Sequence, residues 1–207
     1  MEIWKDQRLS QQMDFMKEAD KLKTVMRRTT IMDGSRHENT AEHSWHISLL
    51  AMVLHEHAPE PKPDLSHVIK LLLVHDIVEI DAGDTFAYDT AGYSDKEERE
   101  MAAANRIFGL LPDDQAERIM ALWREFEEMQ TPEAIFAAAM DRMMPLLHNY
   151  YNEGYSWKQH GILRSQVLKR MEPIRLASPK IGSFIDELLQ RAVDRGLLAD
   201  DPSDKEA

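Results

Sequence analysis

One stretch, residues 71–84, "LLLVHDIVEIDAGD", constrains the fold more than any other. With Val68 and Ile69 before it, the run Leu71, Leu72, Leu73, Val74, Ile77, Val78 is apolar nearly all round a helix. A helix of that kind has no face for water, so other elements must surround it. It nevertheless carries His75, Asp76 and Glu79. Burying an uncompensated carboxylate costs at least several kcal/mol, roughly. The chain must therefore build a packed core around this helix and place a compensating partner inside that core.

Helical periodicity accounts for most of the remaining sequence. Met13, Met16, Leu22 and Met26 fall near one face and predict a helix over about 10–27. Thr40 is the expected N-cap of the next helix, which Pro59 stops. Asp64 is the expected cap of the helix containing the opening stretch, which should run to about Gly83. The polar, turn-rich "DTFAYDTAGYSD" reads as a loop. Further helices are expected at about 95–109, 113–129, 132–153, 162–176 and 179–195, with "GYSWKQHGI" as a break. No segment reads as a strand, so the expected class is all-α.

Composition removes several functions. The 207 residues suit one moderately large domain, and 43% hydrophobic content supports a core. A formal charge of −12 argues against a nucleic-acid polymer or an anionic membrane as partner. Without cysteine, disulfides and thiolate metal sites are impossible. No signal peptide or run of about 20 apolar residues is visible, so the expectation is a soluble cytoplasmic protein.

A second apolar helix repeats the oddity of the first. "AIFAAAMDRMMPLL" places Asp141 among residues that should be central. "ENTAEHSWH" places His43 in the first turn of a third helix. His43, His75, Asp76 and Asp141 offer nitrogen and carboxylate donors without sulfur, a set suited to one divalent first-row metal in an open site. Glu79 lies one turn from His75 on the same helix, near any such metal.

The order His43, His75-Asp76, Asp141 in an all-helical chain resembles the HD-domain metal-dependent phosphohydrolases. The flanking "ENTAEHS", "HDIVEIDAGD" and "LWREFEEMQTPEAIFAAAMD" resemble the 5′-deoxynucleotidase branch over roughly residues 9–155. The resemblance implies an HD-type helical core of about 9–155; with the C-terminal helices, at about 157–195, a single domain over 1–200 is expected, followed by a disordered tail from 201. It implies one metal (Mn, Co, Zn, Fe or Mg) held by His43, His75, Asp76 and Asp141. It puts Glu79 and Asp84 in catalysis, with Asp84 also near substrate. It suggests Arg28 as a phosphate contact, because Arg28 lies fifteen residues before His43, where that branch has an arginine. In a well-known bacterial form a tryptophan comes after that arginine and helps exclude the ribose 2′-hydroxyl; here Thr29 stands at that place. The expected substrate is a nucleoside 5′-monophosphate, hydrolysed by a homodimer. The alternatives are another HD hydrolase, acting on an alarmone or a nucleoside triphosphate, and a metal-binding helical module without turnover.

Overall fold

The computed structural model describes residues 5–89 and 92–201. Helix α1 spans Gln7–Ala19, with the Asp6 carboxylate accepting from Leu9 N–H at its start. The chain then tightens into a 3₁₀ turn over Asp20–Thr24 instead of continuing as α-helix to 27. Beyond Val25 it extends into a strand, β1 (Met26–Thr30), paired antiparallel with β2 (His37–Asn39). This ribbon corrects the expectation of no strand. Thr29 and Thr30 are β-branched and favour extended backbone, and pairing with β2 supplies hydrogen bonds that a helix end would lack.

Asn39, not Thr40, caps α2 (Thr40–Leu54). Its side chain accepts from Glu42 N–H at 3.0 Å, and the Glu42 carboxylate accepts from Asn39 N–H at 3.3 Å. This reciprocal box satisfies two otherwise orphaned donors and fixes the helix start so that His43 falls in its first turn. Asp64 caps α3 (Leu65–Val74) as expected. The α-helix then stops short of Gly83. From His75 to Val78 the backbone turns more tightly, with Ile77 N–H bonding Val74 O and Glu79 N–H bonding Asp76 O. Helix α4 (Glu79–Ala82) resumes, and Gly83 ends it at φ 74°, a left-handed value that glycine adopts without strain.

Helices α5 (Lys96–Phe108) and α6 (Asp113–Glu128) precede α7 (Pro132–Tyr151). Helix α7 lies at the centre, packed against α2, α3 and α6. Its Phe136, Met140 and Met144 are fully buried with Ile47 of α2 and Leu71 and Leu72 of α3. A second cluster joins Val74 and Val78 to Ala104, Ile107 and Phe108 of α5. Pro145 sits inside α7. It has no N–H, so the carbonyl of Asp141, four residues earlier, has no helical donor there.

The "GYSWKQHGI" break contains a short helix, α8 (Tyr155–His160). Buried Asn149 holds it, its Oδ1 accepting from Ser156 N–H, Ser156 Oγ and Trp157 N–H. The expected helix 162–176 is two pieces, α9 (Arg164–Arg170) and α10 (Glu172–Ala177). Helix α11 (Pro179–Asp194) closes the chain, and α10 packs on both α7 and α11. Asp201 accepts from Ser165 N–H at 2.9 Å, and the rest of the tail, expected to be disordered, lies outside the described residues. Among the described residues no helix is long and apolar enough to cross a membrane.

Candidate metal centre

Three elements bring three potential ligand atoms together. His43 comes from the first turn of α2, His75 from the tight turns after α3, and Asp141 from the middle of α7. Their donor atoms all lie within 4.8 Å of one another. His43 Nε2 is 2.9 Å and His75 Nε2 3.8 Å from Asp141 Oδ1. Asp76 borders the set, with Oδ1 3.0 Å from His75 Nε2 and Oδ2 accepting from Arg27 at 3.1 Å.

The His75 tautomer tests whether a cation fits here. His75 Nδ1 lies 2.9 Å from the Leu72 carbonyl, so that nitrogen is the N–H donor. Nε2 then presents its lone pair to two carboxylates, buried and without a well-formed hydrogen bond. A lone pair facing two anions is stable only with positive charge between them, either a proton or a metal ion. Burial disfavours the charged imidazole, but Asp76 and Asp141 outweigh burial and hold the His75 pKa well above its ordinary value. Burial likewise raises Asp141, and the hydrogen bond with His43 together with nearby His75 more than reverses it. The donor set of His43, His75 and Asp141, with Asp76 beside His75, fits a divalent cation.

Glu38 stands behind His43, and nothing in the sequence pattern singles it out. It is 2% exposed, and its Oε2 lies 3.3 Å from His43 Nδ1. A carboxylate behind a ligating imidazole fixes the ring and its tautomer. The same oxygen is 3.7 Å from His148 Nδ1, and burial lowers the His148 pKa to about 4, so that ring is neutral. Glu38, His46 and His148 also bring three potential ligand atoms within 4.8 Å.

Glu79 is buried beside the set, and Thr40 Oγ1 donates to its Oε2 at 3.0 Å. Burial, with the negative charge of Asp76, raises its pKa well above the carboxylate range. Burial also raises Asp84, against the pull of Arg27. The arginine drawn in among these carboxylates is Arg27. It reaches Asp76 at 3.1 Å, Glu38 at 3.7 Å and Asp84 at 3.8 Å. Burial alone would lower its pKa, and the surrounding carboxylates raise it instead. Arg28, the arginine expected at the phosphate, is exposed; it lines a cavity of about 50 Å³ together with Arg27, Thr29 and Asp84. Thr29 is buried, and its Oγ1 has no hydrogen-bond partner. The strand leaves Arg27 half-buried among the carboxylates and Arg28 exposed, although both line the cavity.

Residues 19–181 match the HD domain family. Human 5′-deoxynucleotidase HDDC2 is 26% identical over 92% of this chain and 91% of its own length. The Xenopus laevis 5′-deoxynucleotidase HDDC2 is 30% identical over 65% of this chain and 66% of its own. Among solved structures, a "predicted metal-dependent phosphohydrolase" from Magnetospirillum magnetotacticum MS-1 superposes with a TM-score of 0.88. It is 51% identical and covers 94% of this chain and 100% of its own. A conserved hypothetical protein from Pyrococcus furiosus, 20% identical with a TM-score of 0.63, shares the fold. With the family match spanning most of its length, this chain belongs to the HD domain family.

Proposed function

We propose that the protein is a metal-dependent phosphohydrolase that cleaves nucleoside 5′-monophosphates. The His75 Nε2 lone pair carries this reading, because it faces Asp76 and Asp141 across a gap that calls for a cation. The relatives named as 5′-deoxynucleotidases support the substrate class. His43, His75, Asp76 and Asp141 would hold the ion. When bound, a divalent cation supplies Lewis acidity and lowers the pKa of a water to near neutrality.

The remaining steps belong to the protein's own groups. Arg28, at the edge of the cavity, contacts the phosphate and offsets its charge, and its planar fork suits oxyanions. Arg27 holds Asp76 and Asp84 in place through its ion pairs. Glu79 exchanges a proton with the attacking water and is aimed by the Thr40 hydroxyl. Asp84, 3.8 Å from Arg27, and buried Thr29 are assigned to the sugar. The water attacks phosphorus in line with the departing 5′-oxygen. An exposed apolar strip on α2, with Trp45, Met52 and Val53, supports assembly as a homodimer, which sedimentation would test.

The deciding experiment is phosphate release from ribo- and deoxyribonucleoside monophosphates. It uses metal-stripped protein resupplied with Mn, Co, Zn, Fe or Mg. Metal-dependent release from monophosphates is expected. Faster release from a triphosphate or an alarmone would refute the substrate assignment, and no release with any metal would refute the activity.

A further inference from the structure

The cavity beside the metal centre holds more positive charge than one phosphate contact requires. Arg28, Arg142 and Arg170 all line it. Most described arginines reach a carboxylate within 4 Å. Among the described residues Arg28, Arg124, Arg142 and Arg170 do not, and three of these four meet at this one cavity. In a chain of net charge −12, carboxylates are abundant, yet among the described residues none pairs with this group at that distance. Asp84 is the acidic group in the lining, and it sits against Arg27.

Two of these arginines line the cavity from different helices. Arg142 comes directly after Asp141 on α7, and Arg170 ends α9. Both are half-buried. Arg142 Nη2 donates to Met129 Sδ at 3.4 Å. Trp157, Leu146 and Met171, each nearly fully buried, form apolar walls. In such surroundings like charges repel more strongly than in water, and a bound anion relieves them more. A volume of about 50 Å³ holds a few waters or one small oxyanion and is far below that of a whole-nucleotide pocket.

We propose that Arg142 and Arg170 form a subsite for a second oxyanion, so that the preferred substrate is a nucleoside 5′-monophosphate bearing a further phosphate on its sugar. This rests on the phosphomonoesterase reading and narrows it. The scissile phosphate lies at the metal centre, and the second phosphate occupies the arginine cavity.

The test compares a nucleoside 3′,5′-bisphosphate with the matching 5′-monophosphate. Wild-type protein should favour the bisphosphate at least tenfold in kcat/KM. Arg142→Gln and Arg170→Gln should bring that ratio towards one, mainly through KM, and the lysine variants should recover part of it. A second measurement needs no turnover. In metal-stripped Asp141→Ala protein, inorganic phosphate should raise the melting temperature above that in chloride of equal ionic strength. That rise should vanish when both arginines become glutamine. A wild-type ratio near one, or variants that lose both substrates in proportion, would overturn the subsite. Arginine-dependent phosphate protection without turnover of any monoester would overturn the phosphomonoesterase reading alone and leave the subsite in place.

Discussion

Glu79→Gln separates proton holding from metal holding. The wild-type carboxyl is buried, accepts from Thr40 at 3.0 Å, and lies near Asp76 and Asp84. Its pKa in the metal-free fold is well above the 4.5 of an exposed glutamate, with burial the main cause. Above about pH 4.5 the unfolded chain releases this proton while the folded chain keeps it. Unfolding therefore releases a proton, and stability falls as pH rises through the window between the two pKa values. The loss is at most about 3 kcal/mol between pH 5 and pH 7, reached only if the folded carboxyl stays protonated throughout. Glutamine matches the protonated acid in shape, still accepts from Thr40, and does not titrate. Urea unfolding with chelator present, at pH 5, 6 and 7, should show Glu79→Gln gaining on wild type as pH rises. With metal restored, turnover should fall about 10²–10⁴-fold while metal content is kept. Parallel stability curves would refute the protonated-carboxyl argument. Metal loss in the variant would make Glu79 a ligand.

Neighbouring contacts yield further outcomes. Asp141→Ala should lose metal and activity together, read by elemental analysis alongside phosphate release; full occupancy in both this variant and His75→Ala would remove the ligand assignment. Glu38→Ala should weaken metal binding about 10–100-fold in a chelator competition, the usual cost of losing a carboxylate behind a ligating histidine, and unchanged affinity would leave Glu38 a packing residue. Arg27→Gln leaves Asp76 and Asp84 without their buried cation and should cost about 3–5 kcal/mol in the metal-stripped protein, measured by urea unfolding; a loss below 1 kcal/mol would show, roughly, that water reaches these carboxylates. Thr29 should permit ribose as well as deoxyribose, since its buried hydroxyl can bond a 2′-OH; a deoxyribose preference above about a hundredfold, ~2.7 kcal/mol in kcat/KM, would show that another group excludes it.

The helical parts of the site were legible because burial writes itself into sequence as apolar runs. An aspartate inside "AIFAAAMDRMM" stands out for that reason, and the residues flagged this way, His75 and Asp141, do meet in space. The ribbon was not legible. "MRRTT" is five residues, too short for alternation to register beside the helical pattern before it. Read as a helix end, the stretch gives no reason to prefer Arg27 over Arg28. As a strand with an irregular register it half-buries Arg27 and leaves Arg28 exposed. Glu38 was hidden for a related reason, because it lies in a three-residue strand among polar neighbours, where nothing local marks it as buried. The interruption at 75–78 lacks glycine and proline, so tertiary packing around His75 and Asp76, not local propensity, sets it.

Pro145 gives α7 a mechanical character that its sequence length conceals. The helix is nominally a single rod, from Pro132 to Tyr151. The missing bond to the Asp141 carbonyl makes bending cheapest between residues 141 and 145. On one side of that joint the rod is clamped in the core by Phe136 and Met140. On the other, Asn149 ties it to α8 and the cavity wall. Asp141 and Arg142 occupy the joint itself. A group filling the arginine cavity would push on the free arm of a lever whose fulcrum is the proposed metal ligand Asp141, coupling the two ends of the proposed site through the softest place in α7.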